Sequence, residues 1–442
     1  MSAVSRNNAP VPDIPFFTPK HLDSPGTVKG IDQDTPTLFR PLSIRGVTLK
    51  NRICVSPMCQ YSCAPTGPQT GVLTPLYLTT VGHFAYKGAA LVMLEATGVQ
   101  ASGRISVNCP GLYNDAQTAG AKTLADFVHS QGGLIGVQLS HGGRKSSTLA
   151  PWIATRLGQP SAKAEVKEGG WPDDVVGPSG GQQHTFDGKP KDDPTGGYHA
   201  PREMTKTEIR QLVADFASSA RRAVAAGIDV VEIHAAHGYI LHQFFSPITN
   251  RRTDEYGGSF ENRIRLTIEV IKSVRAAIPE KMPLFVRVSA TDWMEGTQVE
   301  RRFGSWDLES TIRFVKLLPD LGVDLIDVSS AGNIKEAAFT VFDAGRQQWE
   351  MASRIRKELQ AAGKTLLVGT VGEITTSAQA QSLVEEKSPN KACDVIFVGR
   401  QFLKEPHWVL KVAEELNLDV AWPTQLARPQ IQKKTAATPS KL

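Results

Sequence analysis

The sequence predicts a single (β/α)8 barrel, an α/β fold in which eight parallel strands alternate with helices. Eight short runs of β-branched or aliphatic residues recur along the chain, and most are followed by a segment with the 3.6-residue spacing of an amphipathic helix. No G-x-G-x-x-G motif stands between a strand and a helix, which argues against two domains built around a dinucleotide-binding fold. The predicted strands are 52–55, 91–95, 134–138, 229–234, 284–287, 324–328, 365–369 and 394–398.

Seven segments that follow these runs have helical periodicity, so most strands are followed by a helix that can cover the barrel. The predicted helices are 115–130, 206–226, 262–278, 307–321, 349–362, 377–385 and 407–416.

The chain outside these elements divides into three further parts. Residues 1–36 contain six prolines and no periodicity, which predicts an arm that lies over the surface or is partly disordered, before a barrel over 37–420. Residues 421–442 form a C-terminal tail. The insertion at 158–199, rich in Gly, Pro, Asp and Lys, follows strand three and therefore belongs to the face where barrels keep their active sites. We interpret it as a lid or rim element; the alternative is a flexible insertion without a role.

Composition narrows the class of partner. The 442 residues carry 49 Lys and Arg against 44 Asp and Glu, without long basic tracts, so we expect no nucleic acid and favour a small anionic ligand. No apolar run approaches the roughly 18 residues of a membrane span, and no secretory signal opens the sequence. The five cysteines are typical of reduced intracellular thiols, and their spacing predicts no metal site.

In a barrel the reactive side chains lie where the strands end and in the loops that follow. Polar residues at these positions include an amide, a cation, two imidazoles and two phenols: Gln138, Arg287, His234, His237, Tyr239 and Tyr61. Gly369 and Gly399-Arg400 follow strands seven and eight, where barrels commonly bind a phosphate on backbone N–H groups.

A flat, hydrogen-bonding, phosphorylated ligand fits this set. Riboflavin phosphate (FMN) needs an amide for its pyrimidine edge, which Gln138 can supply, and a positive charge near N1 and C2=O, which Arg287 can supply. Gly369 and Gly399-Arg400 would hold its phosphate. Each residue alone is weak evidence, but the barrel geometry brings all of them to one mouth.

The segment from Glu232 to Tyr239 has three interpretations. His234 and His237 could ligate a metal, but no third ligand stands at a matching spacing and the H-E-x-x-H pattern is absent. Packing in the core could account for one histidine. Two imidazoles and a phenol directly after a strand favour donors that hold an oxygen as it becomes anionic, with Tyr239 placed to supply a proton.

Cys59 follows Pro57 at the end of strand one, two residues before Tyr61. Its sulfur could contact a flavin edge and alter the flavin potential. Inert packing is the alternative, and a redox C-x3-C pair with Cys63 is a third, weaker interpretation.

Five runs in order resemble the old yellow enzymes, a family of FMN-dependent ene-reductases, over about residues 38–416. They are Lys50-Asn51-Arg52-Ile53 leading to Ser56-Pro57-Met58-Cys59, Gly136-Val137-Gln138-Leu139-Ser140-His141-Gly142-Gly143-Arg144, Ile233-His234-Ala235-Ala236-His237-Gly238-Tyr239, Asn250-Arg251-Arg252-Thr253-Asp254-Glu255-Tyr256-Gly257-Gly258-Ser259, and Phe397-Val398-Gly399-Arg400. The cysteine at 59 resembles the branch of bacteria and fungi in which that residue tunes the flavin.

The resemblance implies a role for each candidate residue. Tyr239 would donate the proton, His234 and His237 would bind the substrate carbonyl oxygen, and Tyr61 would line the pocket. Arg428 would reach the site of a neighbouring subunit in a homodimer or dimer of dimers, although its sequence surroundings depart from the family pattern. The residues implied to hold FMN are Pro57, Cys59, Ala96, Gln138, His234, Arg287, Gly369, Gly399 and Arg400.

The implied reaction is reduction of the C=C bond of an α,β-unsaturated carbonyl compound, with NADPH or NADH as the hydride donor. The closest rival is a related barrel flavoenzyme that acts on dienoyl thioesters, but that enzyme adds an iron–sulfur cluster for which this chain lacks the cysteine run. A catalytically inactive flavin-binding barrel is a second rival, and a metal-dependent aldolase or hydrolase barrel is a third.

The sequence ends with Ser440-Lys441-Leu442, which matches the C-terminal peroxisomal targeting signal. We expect the peroxisomal import receptor to be a partner and the peroxisome to be the location in a host that has peroxisomes, and the cytoplasm otherwise. The preceding stretch is mostly polar, which predicts an accessible tail.

Overall fold

Eight parallel strands close into one barrel in this computed structural model, which describes residues 8–339, 345–389, 391–426 and 428. The last strand pairs with the first, as Phe397 opposite Cys54 shows. The (β/α)8 prediction is confirmed. The barrel strands are β1 (Ile53–Val55), β2 (Leu91–Gly98), β3 (Leu134–Ser140), β4 (Val230–Ala235), β5 (Leu284–Ser289), β6 (Leu325–Ser329), β7 (Leu367–Val371) and β8 (Val395–Val398).

All seven predicted helices are present, and side-chain caps explain several of their starts. Asn114, Thr205 and Thr376 each accept a hydrogen bond from the third residue of the helix that follows, within a reciprocal capping box. The helix predicted to end at 321 ends at Val315, and a 3-10 turn at Pro319–Leu321 follows, because proline cannot continue the helix. The helices are Asp115–Ser130, Lys206–Ala225, Phe260–Ala277, Leu308–Val315, Gly345–Ala361, Ser377–Val384 and Trp408–Glu415.

The short helices were not predicted because they span too few residues to show a helical hydrophobic periodicity. A π-helical turn at Leu78–Gly82 runs into a helix at His83–Tyr86 and fills the place of the first barrel helix. Further short helices lie in the loops after β3, β4, β5 and β8, at Pro151–Arg156, Ile240–Phe245, Gln298–Phe303 and Arg400–Lys404. None of the helices in the described ranges is long and apolar enough to cross a bilayer.

A hairpin covers the N-terminal end of the barrel. Its antiparallel strands, Leu42–Ile44 and Val47–Leu49, contribute Ile44 and Leu49 to a buried apolar cluster with residues near the beginnings of the barrel strands, such as Leu91 and Leu325. The opposite, C-terminal end therefore stays free for the polar loops.

The described part of the arm, residues 8–36, forms no regular helix or strand. It pairs with the last described segment through backbone hydrogen bonds from Gly26 to Ala421 and from Lys29 to Asp419. Glycine is required at 26, where φ is +81° and a Cβ would lie 2.4 Å from the Gly88 carbonyl oxygen.

The insertion 158–199 lies against the loops at the C-terminal mouth. The Phe186 ring is 4.3 Å from Lys145 Nζ, and the Trp171 ring is 5.0 Å from the Arg104 guanidinium. A second two-stranded sheet pairs Val176–Gly177 with Arg202–Glu203 and ties the end of the insertion to the segment before the next helix. These contacts agree with a position of the insertion at the rim of the mouth. Its role as a lid or rim element in function stays a prediction.

The ion pair of His129 with Asp229 gives a prediction on stability. His129 Nε2 lies 2.8 Å from Asp229 Oδ2 at the C-terminal end of a helix, and this hydrogen bond raises the pKa of His129 above its usual value. A group whose pKa is higher in the folded state than in the unfolded state stabilises the fold fully at pH values below its unfolded pKa. This contribution is lost as the pH rises through the folded pKa. We expect His129→Gln to lower the free energy of unfolding by about 1 kcal/mol near pH 5.5 and by less near pH 9, measured by urea titration. An equal loss at both pH values would contradict a charged pair.

Candidate active site

Four neighbouring strands bring the predicted flavin-contacting residues together. Ala96 on β2 is in register with Gln138 on β3, and His234 on β4 is in register with Arg287 on β5. Gln138 is also opposite Glu232, two residues before His234. All of these side chains are almost fully buried near the C-terminal half of the barrel.

Arg287 is a buried cation that two neighbours hold in place. Its Nη1 donates to Ser56 Oγ at 3.1 Å, and its Nε lies 3.3 Å from Asp327 Oδ2 on β6. Burial raises the pKa of Asp327, while the charge of Arg287 opposes this rise. The guanidinium is therefore fixed between β6 and the loop after β1, with N–H groups left for a ligand.

A second buried acid orients the Gln138 amide. Gln138 Nε2 donates to Glu232 Oε1 at 2.8 Å, which leaves the amide oxygen to accept from a ligand. Burial, reinforced by the charge of Asp327, raises the pKa of Glu232 to about 8. Sequence reasoning missed both acids; the signal was a single charged residue inside an apolar strand run, V-V-E-I and L-I-D-V.

The end of β4 and the loop that follows it place two imidazoles and a phenol edge to face. The rings of His234 and His237 are 5.1 Å apart, and those of His234 and Tyr239 are 5.0 Å apart. His237 has a φ of +57°, and its backbone N–H donates to Ser289 Oγ at 2.9 Å, which holds this unusual turn. Ser329 Oγ lies 2.8 Å from His237 Nε2 and so leaves one ring nitrogen for a ligand.

These three groups have protonation states suited to donating hydrogen bonds. Burial and the nearby charge of Arg287 lower the pKa of His234 and of His237 well below the usual range, so both rings are neutral near pH 7. Burial raises the pKa of Tyr239, so its hydroxyl keeps its proton. His234 Nδ1 is buried and has no hydrogen-bond partner within the described residues.

Lys145, which sequence reasoning did not single out, supports this loop. Its Nζ donates to the backbone oxygens of His237 at 3.0 Å and Gly332 at 2.8 Å, and it lies 5.3 Å from the centre of the Tyr239 ring. Burial and the charge of Arg144 lower its pKa to about 7. The available signal was a lysine directly after the motif that ends at Arg144.

Cys59 and Tyr61 lie in the loop after β1. Both pack with Tyr239 against an apolar cluster of Ala96, Ile105 and Cys109. Tyr61 has a φ of +49°, and its ring meets that of Trp152 edge-on at 5.9 Å. Burial raises the pKa of the Tyr61 hydroxyl, and hydrogen bonding to Cys109 together with burial raises that of the Cys59 thiol.

The remaining predicted residues are more dispersed. Pro57 is half-buried in the loop after β1. Gly369 lies inside β7, which ends two residues later than predicted, and a Cβ there would come within 2.6 Å of the Phe397 ring. Gly399 and Arg400 do follow β8, and Arg400 Nη2 lies 4.0 Å from Glu373 Oε1 beyond β7.

Two predictions concern the C-terminal region. Arg428 is exposed in this single chain, so its contact with a neighbouring subunit stays a prediction. Ser440-Lys441-Leu442 lies outside the described residues.

Comparison with known proteins decides the family. The model of the NADH:flavin oxidoreductase / NADH oxidase family matches residues 37–419, nearly the whole barrel. The chain belongs to this family. The old yellow enzyme resemblance seen in the sequence is thereby confirmed.

Curated relatives are similar over almost their whole length. An NADH:flavin oxidoreductase of Gibberella zeae is 40% identical over 422 residues, 95% of this chain and 95% of that protein. An NADPH dehydrogenase of Bacillus velezensis is 36% identical over 391 residues, 88% of this chain and 98% of that protein.

Solved structures that are similar to this chain share the barrel. Morphinone reductase in complex with tetrahydroNAD has a TM-score of 0.62 at 26% identity, over 88% of this chain and 93% of its own. An old yellow enzyme homologue from Zymomonas mobilis has a TM-score of 0.60 at 28% identity, over 87% and 94%. A 2-naphthoyl-CoA reductase has a TM-score of 0.70 at 24% identity over 88% of this chain, which spans only 52% of that protein, and this likeness shows the fold alone.

The old yellow enzyme family uses FMN with NAD(P)H as hydride donor, so the cofactor prediction is confirmed and the protein is an FMN-dependent NAD(P)H oxidoreductase. The residues present fit FMN. A fixed buried cation at Arg287, an oriented amide at Gln138 and an unsatisfied ring nitrogen at His234 match a flat ring with carbonyl oxygens and nitrogens along its edge.

Proposed function

We propose that this old yellow enzyme reduces the C=C bond of α,β-unsaturated carbonyl compounds, with hydride that originates in NADPH or NADH. The observation that carries the proposal is the arrangement of His234, His237 and Tyr239 around one point of the barrel mouth. Two neutral N–H donors and a protonated phenol are the groups that such a reduction needs.

The two histidines hold the carbonyl oxygen of the substrate. Each neutral ring donates one N–H; for His237 this is Nδ1–H, in the tautomer whose Nε2 accepts from the Ser329 hydroxyl. Negative charge grows on the oxygen as hydride reaches the β-carbon. Neutral donors placed in advance stabilise this charge without giving a proton to the oxygen. Ser329 helps by fixing the ring of His237 through Nε2.

Tyr239 completes the reduction by protonating the α-carbon. FMN, when bound, supplies the hydride that it has received from the nicotinamide. Tyr239 loses the proton that forms the new C–H bond, and solvent restores it, so one hydride and one proton are added across the double bond. The 5.0 Å separation of the His234 and Tyr239 rings lets one substrate reach both groups.

A comparison of substrates tests the proposal. We expect NADPH oxidation under nitrogen to be fast with 2-cyclohexen-1-one and to yield cyclohexanone, identified by gas chromatography. Cyclohexene has the same ring and double bond but no oxygen for the histidines, and should give no turnover above the background. Equal rates with both compounds, or NADPH oxidation without saturated ketone, would contradict the proposal.

We further propose import into peroxisomes, supported by the tripeptide Ser440-Lys441-Leu442. A fluorescent protein fused to the N-terminus should give puncta that coincide with a peroxisomal marker in a eukaryotic host. Deletion of the three residues should make the signal diffuse. Diffuse signal from the intact fusion would reject the proposal.

A further inference from the structure

Two thiols and a carboxylate meet beside the barrel mouth. Cys59 Sγ, Cys109 Sγ and a carboxylate oxygen of Glu95 all lie within 4.8 Å of one another. They come from the loop after β1, from the loop after β2 and from β2 itself, so no sequence spacing reveals them. Cys63, the sequence neighbour of Cys59, contacts Tyr77 Oη at 3.6 Å instead.

Glu95 is held in place with one oxygen unsatisfied. Its Oε1 accepts from the backbone N–H of Gln60 at 2.9 Å and from the Tyr77 hydroxyl at 2.8 Å. Its Oε2 is buried and has no hydrogen-bond partner in the described part of the chain. The side chain is only 2% exposed, and burial raises its pKa to about 7; a bound cation would offset this burial by stabilising the charged form.

We propose that Cys59, Cys109 and Glu95 form a binding site for a soft divalent cation such as Zn²⁺ or Cd²⁺. Ligand atoms around a tetrahedral Zn²⁺ lie about 3.5 Å apart, so small side-chain rotations would close this cluster around an ion. Two sulfurs and one oxygen select Zn²⁺ or Cd²⁺ over Mg²⁺ or Ca²⁺, which prefer sites made only of oxygens. The hydrogen bonds to Oε1 are the kind of outer contacts that orient a ligating carboxylate.

The site is reached from the mouth of the barrel and leaves a coordination position open. Cys59 is half-buried and packs beside Tyr61 and Tyr239, whereas Cys109 and Glu95 lie deeper. Three protein ligands leave a fourth position for water or another small ligand. Because Cys59 is also the predicted flavin contact, a bound metal would compete for its sulfur and inhibit the enzyme.

Titration of the FMN-loaded enzyme with Cd²⁺, under reducing and oxygen-free conditions, tests this site directly. We expect the ultraviolet absorption of cadmium thiolate to saturate at one ion per chain, with the same stoichiometry by calorimetry. Cys109→Ser and Glu95→Gln should each weaken binding by about tenfold to a hundredfold. Cys63→Ser is the matched control: it removes a nearby thiol outside the cluster and should bind Cd²⁺ as the parent does.

Retained flavin absorption checks that each variant is folded, and Cys109→Ala serves if Cys109→Ser loses FMN. A second measurement needs no variant: Zn²⁺ should slow alkylation of Cys59, the half-buried thiol of the cluster, as read by peptide mass spectrometry. No saturable cadmium absorption, unchanged binding by folded Cys109→Ser, or alkylation of Cys59 that Zn²⁺ does not slow would overturn the proposal. None of these readouts depends on enone reduction, so the proposed function is tested separately.

Discussion

Tyr239→Phe is expected to slow reoxidation of the reduced enzyme by an enone by about 100-fold to 10,000-fold, the usual contribution of a general acid. Phenylalanine keeps the ring that packs beside His234 and Lys145 and removes only the hydroxyl. Reduction by NADPH delivers no proton to a substrate carbon and should keep its rate within about threefold.

Stopped-flow absorbance of the flavin measures both half-reactions separately. Tyr61→Phe is the matched control, because it removes a second half-buried phenol that packs against the same apolar cluster. Equal slowing of both half-reactions by Tyr239→Phe would show that this residue shapes the pocket and does not donate the proton.

His234→Ala is expected to weaken binding of phenolic ligands and to slow enone reduction by roughly two orders of magnitude, equivalent to about 3 kcal/mol for one lost donor to a developing oxyanion. His237→Ala should act in the same direction, because its ring is fixed by Ser329 for the same task. Since the pKa of each histidine is lowered well below the usual range, the loss should not vary with pH between about 6 and 8.

The long-wavelength absorption that a phenol induces against the flavin reports binding directly. His129→Gln, which changes a histidine far from the mouth, is the control and should leave this absorption unchanged. Unaltered phenol binding in both His234→Ala and His237→Ala would show that the oxygen is held elsewhere.

The barrel could be predicted from the sequence because its strands are apolar runs and its helices have a 3.6-residue hydrophobic spacing, both of which are visible in one sequence. β4 is an apolar run that ends in a polar loop, and the long helix before it, Lys206–Ala225, agrees with the predicted 206–226. The order of elements then places His234 and Arg287 at one mouth, and their register pairing agrees with that placement.

Residues that act through contacts distant in sequence could not be found in this way. Glu95 lies within an apolar strand, and its neighbours Cys59 and Cys109 come from two different loops. Lys145 gains its role only when the loops after β4 and β6 present carbonyl oxygens to it. The position of Gly369 was misjudged because the end of a strand depends on pairing with its neighbours, here with Asp327 and Val395.

One single-turnover measurement tests the central claim most directly. Enzyme reduced anaerobically with one equivalent of NADPH is mixed with 2-cyclohexen-1-one, and both the flavin absorption and the product are followed. The account predicts full return of the oxidised flavin with one cyclohexanone formed per flavin, and deuterium at the α-carbon in D₂O. A flavin that stays reduced in the presence of enone, or that reoxidises without saturated ketone, would contradict it.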